Sequence, residues 1–164
     1  MLSIRYRPEA ATTILTQWLR PRIRYDADGR FSMMLVDEQP LPGELRRVAN
    51  IVCPEVDADL FRGVVLQAYQ HGRAVTPCHS DAPVFGFILS LGARRTFRIH
   101  REPCRDSGCR NSDLDAVSIE CVNGTAIIMD ADFHEGWHHQ IVGDPAVTQE
   151  KLSLVFRTSL RSAS

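Results

Sequence analysis

His79, Ser80 and Asp81, read with a histidine about sixty residues downstream, supply two imidazoles and one carboxylate. Two histidines and one carboxylate are the ligand set of a non-haem Fe(II) oxygenase. They occupy one face of an octahedron and leave three positions open, as a metal needs when it binds a co-substrate and O2 together. In an extended segment His79 and Asp81, two residues apart, face the same way, and Ser80 points elsewhere. The second imidazole has three candidates, His134, His138 and His139. His138 and His139 must face opposite sides of a strand, so at most one of them points at the metal.

An H-x-D pair alone is common by chance, and its weight here comes from the segment Lys151 to Arg157. Side chains alternate along a strand, so Leu152, Leu154 and Phe156 share one face. Lys151, Ser153, Val155 and Arg157 share the other. Two cations and a hydroxyl on one strand face within an apolar fold call for an anionic partner. Lys151 and Arg157 stand roughly 20 Å apart along a strand. Their long side chains can converge on the two ends of a small dicarboxylate.

The elements that must hold these residues are mostly strands. Ala11, Ile14, Leu15, Trp18 and Leu19 follow helical spacing between Pro8 and Pro21. Asp26 to Gly29 marks a turn, which predicts a hairpin joining residues 23–25 to 31–36. Pro42 opens a second helix with Leu45, Val48, Ala49 and Val52 on one side. Beyond it, residues 64–69, 85–91, 96–99, 117–122, 125–129, 138–142 and 151–157 read as strands. The run 85–91 is continuously apolar, as in a strand buried on both faces. Residues 101–116 carry charges, Pro103, Gly108 and Asn111, and read as a loop. Two helices followed by seven or eight short strands predict a mainly β (α+β) fold, a barrel or jelly roll with the helices packed on one side.

A chain of 164 residues is one domain, here residues 1–164, with room for one substantial core. Nineteen basic and twenty acidic side chains leave a net charge of −1, which gives no electrostatic case for strong nonspecific nucleic-acid binding. Local basic clusters remain at Arg20, Arg22 and Arg24, and at Arg94, Arg95, Arg98, Arg101 and Arg105. No stretch approaches a membrane span, and the first residues lead into no apolar leader. Five cysteines, an odd number, predict free thiols in a reducing, cytoplasmic or otherwise intracellular compartment. His100, Cys104 and Cys109 could begin a zinc site but lack a fourth ligand nearby in the sequence.

Ordered motifs add a resemblance. Phe61, Val65, Gln67 and Tyr69 match the F-N-x-x-L-x-N-x-Y strand of the AlkB-like Fe(II)/2-oxoglutarate dioxygenases. His79-Ser80-Asp81 matches the H-S-D of that family, and residues 89–97 resemble its S-L-S-x-G-A-x-R-x-F segment. Residues 124–129 resemble G-x-L-L-I-M, and residues 152–157 match x-N-L-T-F-R. Trp137-His138-His139 matches W-x-H, which selects His139 as the third ligand. The resemblance covers roughly residues 40–160 and is closest to the eukaryotic type.

It implies a double-stranded β-helix with Fe(II) held by His79, Asp81 and His139, and 2-oxoglutarate and O2 as co-substrates. Arg157 would pair with a co-substrate carboxylate near the metal. Lys151 and Ser153 would hold the distal carboxylate, with Tyr69 hydrogen-bonded to it and Gln67 near the other end. The implied reaction hydroxylates a C–H bond; on an N-methyl group the product loses formaldehyde. The implied partner is DNA or RNA with N-alkylated bases of the 1-methyladenine or 3-methylcytosine type, as in DNA repair, acted on by a monomer. Tyr25, Phe31 and Phe85 are candidates to stack on a flipped base, and the arginines of 94–105 to meet phosphates.

The chain departs from that pattern in places. Lys151 replaces an arginine and pairs as a point charge rather than a fork. Gln67 and Ser153 each replace an asparagine. Ala82-Pro83 stands where acidic residues are expected, in a loop about five residues shorter than in the eukaryotic homologues. These changes bear on substrate more than chemistry. Two alternatives follow: a 2-oxoglutarate-dependent hydroxylase of another base position, a protein side chain or a small molecule, and a catalytically silent jelly-roll binding module.

Overall fold

A computed structural model describes residues 2–6, 32–36, 40–101 and 116–158. The strands are β1 Leu2–Tyr6, β2 Ser32–Val36, β3 Phe61–Tyr69, β4 Thr76–His79, β5 Gly86–Gly92, β6 Arg95–His100, β7 Val117–Cys121, β8 Thr125–Met129, β9 His138–Ile141 and β10 Lys151–Thr158. The helices are α1 Gly43–Val52 and the single turn α2 Ala131–His134. A large sheet runs β1-β8-β5-β10-β3-β2 and a small one β4-β9-β6-β7. Every pairing is antiparallel. Two facing antiparallel sheets form the jelly roll expected from the strand count.

Alternation along the strands divides the apolar residues between two cores. On the outer face of the large sheet, Val64, Leu66, Phe87, Leu89, Leu154 and Phe156 meet Leu45, Val48, Ala49 and Val52 of α1. These are the α1 positions that helical spacing put on one side. Phe87 and Phe156 are cross-strand partners whose rings stack at 4.4 Å, a pair worth about 1 kcal/mol beyond its burial. Between the sheets, Ile88, Ile127, Met129 and Val155 meet Phe97, Ile99, Ile119, Cys121 and Ile141. Strand β5 thus feeds both cores, which explains its unbroken apolar run.

The central rungs place the chemistry. Strand β10 lies between β3 and β5. Lys151 is flanked by Tyr69 and Gly92, Ser153 by Gln67 and Ser90, and Arg157 by Gly63 and Gly86. A side chain is not tolerated at Gly92: its φ is +80°, and a Cβ there would sit 2.5 Å from the Glu150 carbonyl oxygen. A Cβ at Gly86 would meet the Phe156 carbonyl oxygen at the same 2.5 Å.

Three elements escaped the sequence patterns. Strand β1 pairs with β8, Leu2 opposite Met129, but five residues with no turn signal gave no pattern to read. Strand β4 contains Pro77 and pairs irregularly with β9. Proline demotes a run to an edge, and β4 is an edge strand. Helix α2 is one turn long, capped by Asp130, whose carboxylate accepts from the Phe133 amide at 3.0 Å. The described partner of β2 is β3. The helix expected over residues 8–21, the turn at 26–29, Tyr25, Phe31, Arg20, Arg22, Arg24, Cys104, Arg105 and Cys109 lie outside the described residues. Among the described residues, no helix is long and apolar enough to cross a membrane.

Candidate active site

His79 ends the edge strand β4 and lies opposite His139 of β9 in register, their rings 4.4 Å apart. The Nδ1 of His79 is 2.7 Å from the Pro77 carbonyl oxygen, which can only accept. Nδ1 therefore carries the proton, and Nε2 presents a lone pair. Asp81 follows in the loop between β4 and β5. Its Oδ1 accepts a hydrogen bond of 2.6 Å from Arg157 Nη2. Oδ2 lies 3.7 Å from His139 Nε2, and Oδ1 lies 3.8 Å from His79 Nε2. His79, Asp81 and His139 offer ligand atoms within 4.8 Å of one another. His139 is buried, with Phe97 stacked on its ring at 5.2 Å. Burial, then the proximity of His79, holds its imidazole well below the ordinary histidine range. The ring is neutral at pH 7 and free to ligate. Two imidazoles and a carboxylate tethered by arginine fit a divalent iron.

The alternatives for the third ligand are settled by strand facing. His138 pairs in register with His100 on the other side of the small sheet. His134 sits on α2, and the Ser80 hydroxyl donates to its backbone oxygen at 2.8 Å. That bond ties α2 to the ligand-bearing loop and explains why Ser80 turns away from His79 and Asp81.

The triad forms one wall of a cavity of about 320 Å³, its open mouth included, lined also by Gln67, Tyr69, Thr76, Ser153 and Arg157. Tyr69 donates to Gln67 Oε1 at 3.1 Å and also meets the Thr76 hydroxyl. Burial pushes the Tyr69 phenol up to about 12. Lys151 follows Ser153 on the same strand face and is wholly buried. Its Nζ lacks a hydrogen-bond partner among the described residues. An unpartnered ammonium at this depth costs free energy unless an anion joins it. The donor-rich end of the cavity therefore fits a carboxylate. Arg157 lines the same cavity, and its guanidinium holds the carboxylate of Asp81.

Lys151 is the chain's only lysine, and burial brings its pKa down to about 8, with the Cys121 thiol and the Arg95 guanidinium as titratable neighbours. Its ordinary value is 10.5. The unfolded chain thus binds more protons between those values, so stability rises with pH across that window. A bound dicarboxylate would draw the pKa back up, so its affinity falls as pH climbs past 8. A single ¹³C-labelled lysine ε-carbon signal reports this titration; a midpoint above 10 without ligand refutes it.

Two of the residues considered for nucleic-acid contacts are engaged within the fold. Phe85 packs against the outer core, its ring 6.3 Å from Phe61, because the apolar run of β5 begins there. Arg95 is buried, not solvated. It donates to the backbone oxygens of His71, Ala74 and Val142 and lies over the Tyr69 ring. It locks the loop after β3 and braces Tyr69. Arg94 pairs with Glu120, and Arg101 lies over Trp137. Arg95→Met strands three buried acceptors, an expected loss of about 3 kcal/mol. That is a melting temperature lower by about 6–12 °C; an unchanged one would remove Arg95 from this role. Thr76 and Phe97 were not singled out as site residues, since only strand pairing brings them there.

Comparison with known proteins agrees with this geometry. No family model matches the chain. It is 27% identical to mouse (Mus musculus) "Alpha-ketoglutarate-dependent dioxygenase alkB homolog 3" over 104 residues, 60% of this chain and 36% of that protein. It is 26% identical to the human (Homo sapiens) counterpart over 120 residues, 70% of this chain and 42% of that one. The chain thus spans well under half the length of these relatives. The solved structure of OsALKBH1 superposes with a TM-score of 0.66 at 13% identity, covering 96% of each chain. The fold is AlkB-like. A Pseudomonas putida prolyl-4-hydroxylase shares the fold, with a TM-score of 0.60 at 12% identity over 97% of this chain and 92% of that one. The AlkB-like jelly roll accounts for both cores and for the mouth in which the triad sits.

Proposed function

We propose that this AlkB-like chain, as one domain over residues 1–164 and as a monomer, is an Fe(II)- and 2-oxoglutarate-dependent dioxygenase that removes alkyl groups from N-alkylated bases in DNA or RNA. The observation that carries the reading is one cavity with a metal triad at one side and Ser153 in its lining, the buried cation Lys151 standing two residues from Ser153 on the same strand face. His79, Asp81 and His139 would hold the iron. Lys151, Ser153 and Tyr69 would hold the distal carboxylate of 2-oxoglutarate, and Gln67 would sit near its other end. When bound, iron and 2-oxoglutarate supply the oxidant that hydroxylates a C–H bond.

The protein's part is positioning. His79 keeps its proton on Nδ1 through Pro77, which aims Nε2 inward. Arg157 holds one oxygen of Asp81 and leaves the other for the metal. Phe97 packs over His139, and apolar side chains exclude water around it. Lys151, unpartnered, favours a doubly charged co-substrate over a neutral one.

The base-repair substrate rests on similarity to the AlkB homolog 3 proteins. A second reading, hydroxylation of a protein side chain or small molecule, draws support from the arginines: among residues 94–101, Arg95 is buried and Arg94 is paired with an acid. Anaerobic reconstitution with Fe(II), then 2-oxoglutarate-dependent formaldehyde release from single strands carrying 1-methyladenine or 3-methylcytosine, separates the two. Formaldehyde that disappears in His79→Ala is the expected result. Succinate without formaldehyde moves the substrate to the second class.

A further inference from the structure

A second, smaller cavity of about 190 Å³, its open mouth included, adjoins the triad, lined by Asp81, Val84, Met129, His134, Val155 and Arg157 among others. It shares Asp81, Val155 and Arg157 with the co-substrate cavity but reaches neither Tyr69 nor Ser153. Its walls are largely apolar, and the polar group that it adds to the shared Asp81–Arg157 pair is His134. That imidazole is 92% buried, at 8% exposure, and its Nδ1 has no hydrogen-bond partner. A buried imidazole nitrogen left unpaired costs free energy, and no described residue supplies the missing partner, so a ligand's polar atom beside it would offset that cost. Its placement is fixed: Ser80 bonds its backbone, Asp130 caps its helix, and Phe133 and His139 pack edge-on at ring distances of 5.5 and 6.3 Å.

The enclosed part of this cavity suits a group no larger than a methyl or similarly small alkyl substituent. We propose that His134 is a specificity-determining residue: the alkyl group of an N-alkylated heterocycle enters this cavity beside Asp81, and His134 hydrogen-bonds the polar atom next to it. A neutral imidazole offers one donor and one acceptor. The acceptor matches an exocyclic amine adjacent to a ring N-alkyl group, and the donor matches an exocyclic oxygen. The inference rests on the proposed dealkylation and names the residue that reads its substrate.

The test is binding, with no turnover required. Fluorescence anisotropy measures a single-stranded oligonucleotide carrying 1-methyladenine, and its unmethylated counterpart, on the metal-free protein. His134→Ala should lose a preference for the methylated strand of about tenfold, one hydrogen bond to a charged base. His134→Gln, which keeps a donor and an acceptor, should restore part of it. Mn(II) affinity, followed by electron paramagnetic resonance, reports whether the triad survives each substitution. A His134→Ala protein that keeps the preference overturns the inference and leaves the dealkylase reading intact. One that loses Mn(II) affinity makes His134 a support of the metal centre, which also overturns it. Wild-type protein with no preference at all defeats the nucleic-acid reading and the inference together.

Discussion

His139→Ala is expected to lower Mn(II) or Fe(II) affinity by at least about 100-fold, beyond the usual cost of losing a ligand's supporting hydrogen bond, and to abolish turnover. His138→Ala, one residue away, is expected to change affinity by about twofold or less, as a change remote from the ligands should. The asymmetry follows from the pleat. His139 faces inward, buried against Phe97 and 3.7 Å from Asp81 Oδ2, while His138 faces the other side of the small sheet opposite His100. Mn(II) titration followed by electron paramagnetic resonance measures both variants. The reverse pattern, with His138→Ala losing the ion, would shift the strand register by one and dismantle the site.

Lys151→Met is expected to move stability and co-substrate affinity in opposite directions. The methionine nearly matches the lysine stem in volume and removes a wholly buried ammonium that has no partner. The unliganded protein should gain about 1–3 kcal/mol, the penalty of a buried unsatisfied polar group. Affinity for 2-oxoglutarate should fall by about 30-fold or more, since truncating one side of a buried charge pair costs about 2–5 kcal/mol. Thermal unfolding and calorimetric titration measure the two quantities on one preparation. A variant that is less stable, with affinity intact, would make Lys151 a structural residue and move the distal carboxylate elsewhere. Arginine would not be a neutral replacement, because the rung between Tyr69 and Gly92 was filled by a point charge and not by a fork.

Much of this was legible from residue order. Period-two alternation assigned Lys151, Ser153 and Arg157 to one face of β10 and Leu152, Leu154 and Phe156 to the other, because a strand has only two faces. The 3.6-residue spacing of Leu45, Val48, Ala49 and Val52 located the buried side of α1 for the same kind of reason. The H-S-D motif was legible because its three residues are neighbours. The short strand β1, the proline-bearing edge strand β4 and the one-turn helix α2 were not, since each is held by pairing or packing with residues far along the chain.

Local chemistry therefore determined the ligand types, the faces and the class of fold. Only the tertiary structure decided between His138 and His139 without recourse to resemblance, since the direction of a strand's inner face depends on the sheet opposite. It alone turned Arg95 from a candidate phosphate contact into a buried latch: the carbonyls that capture it belong to residues 71, 74 and 142. It also gave Arg157 to Asp81 and left Lys151 without a partner, because burial and distance between remote residues are properties of the packed chain and not of any segment.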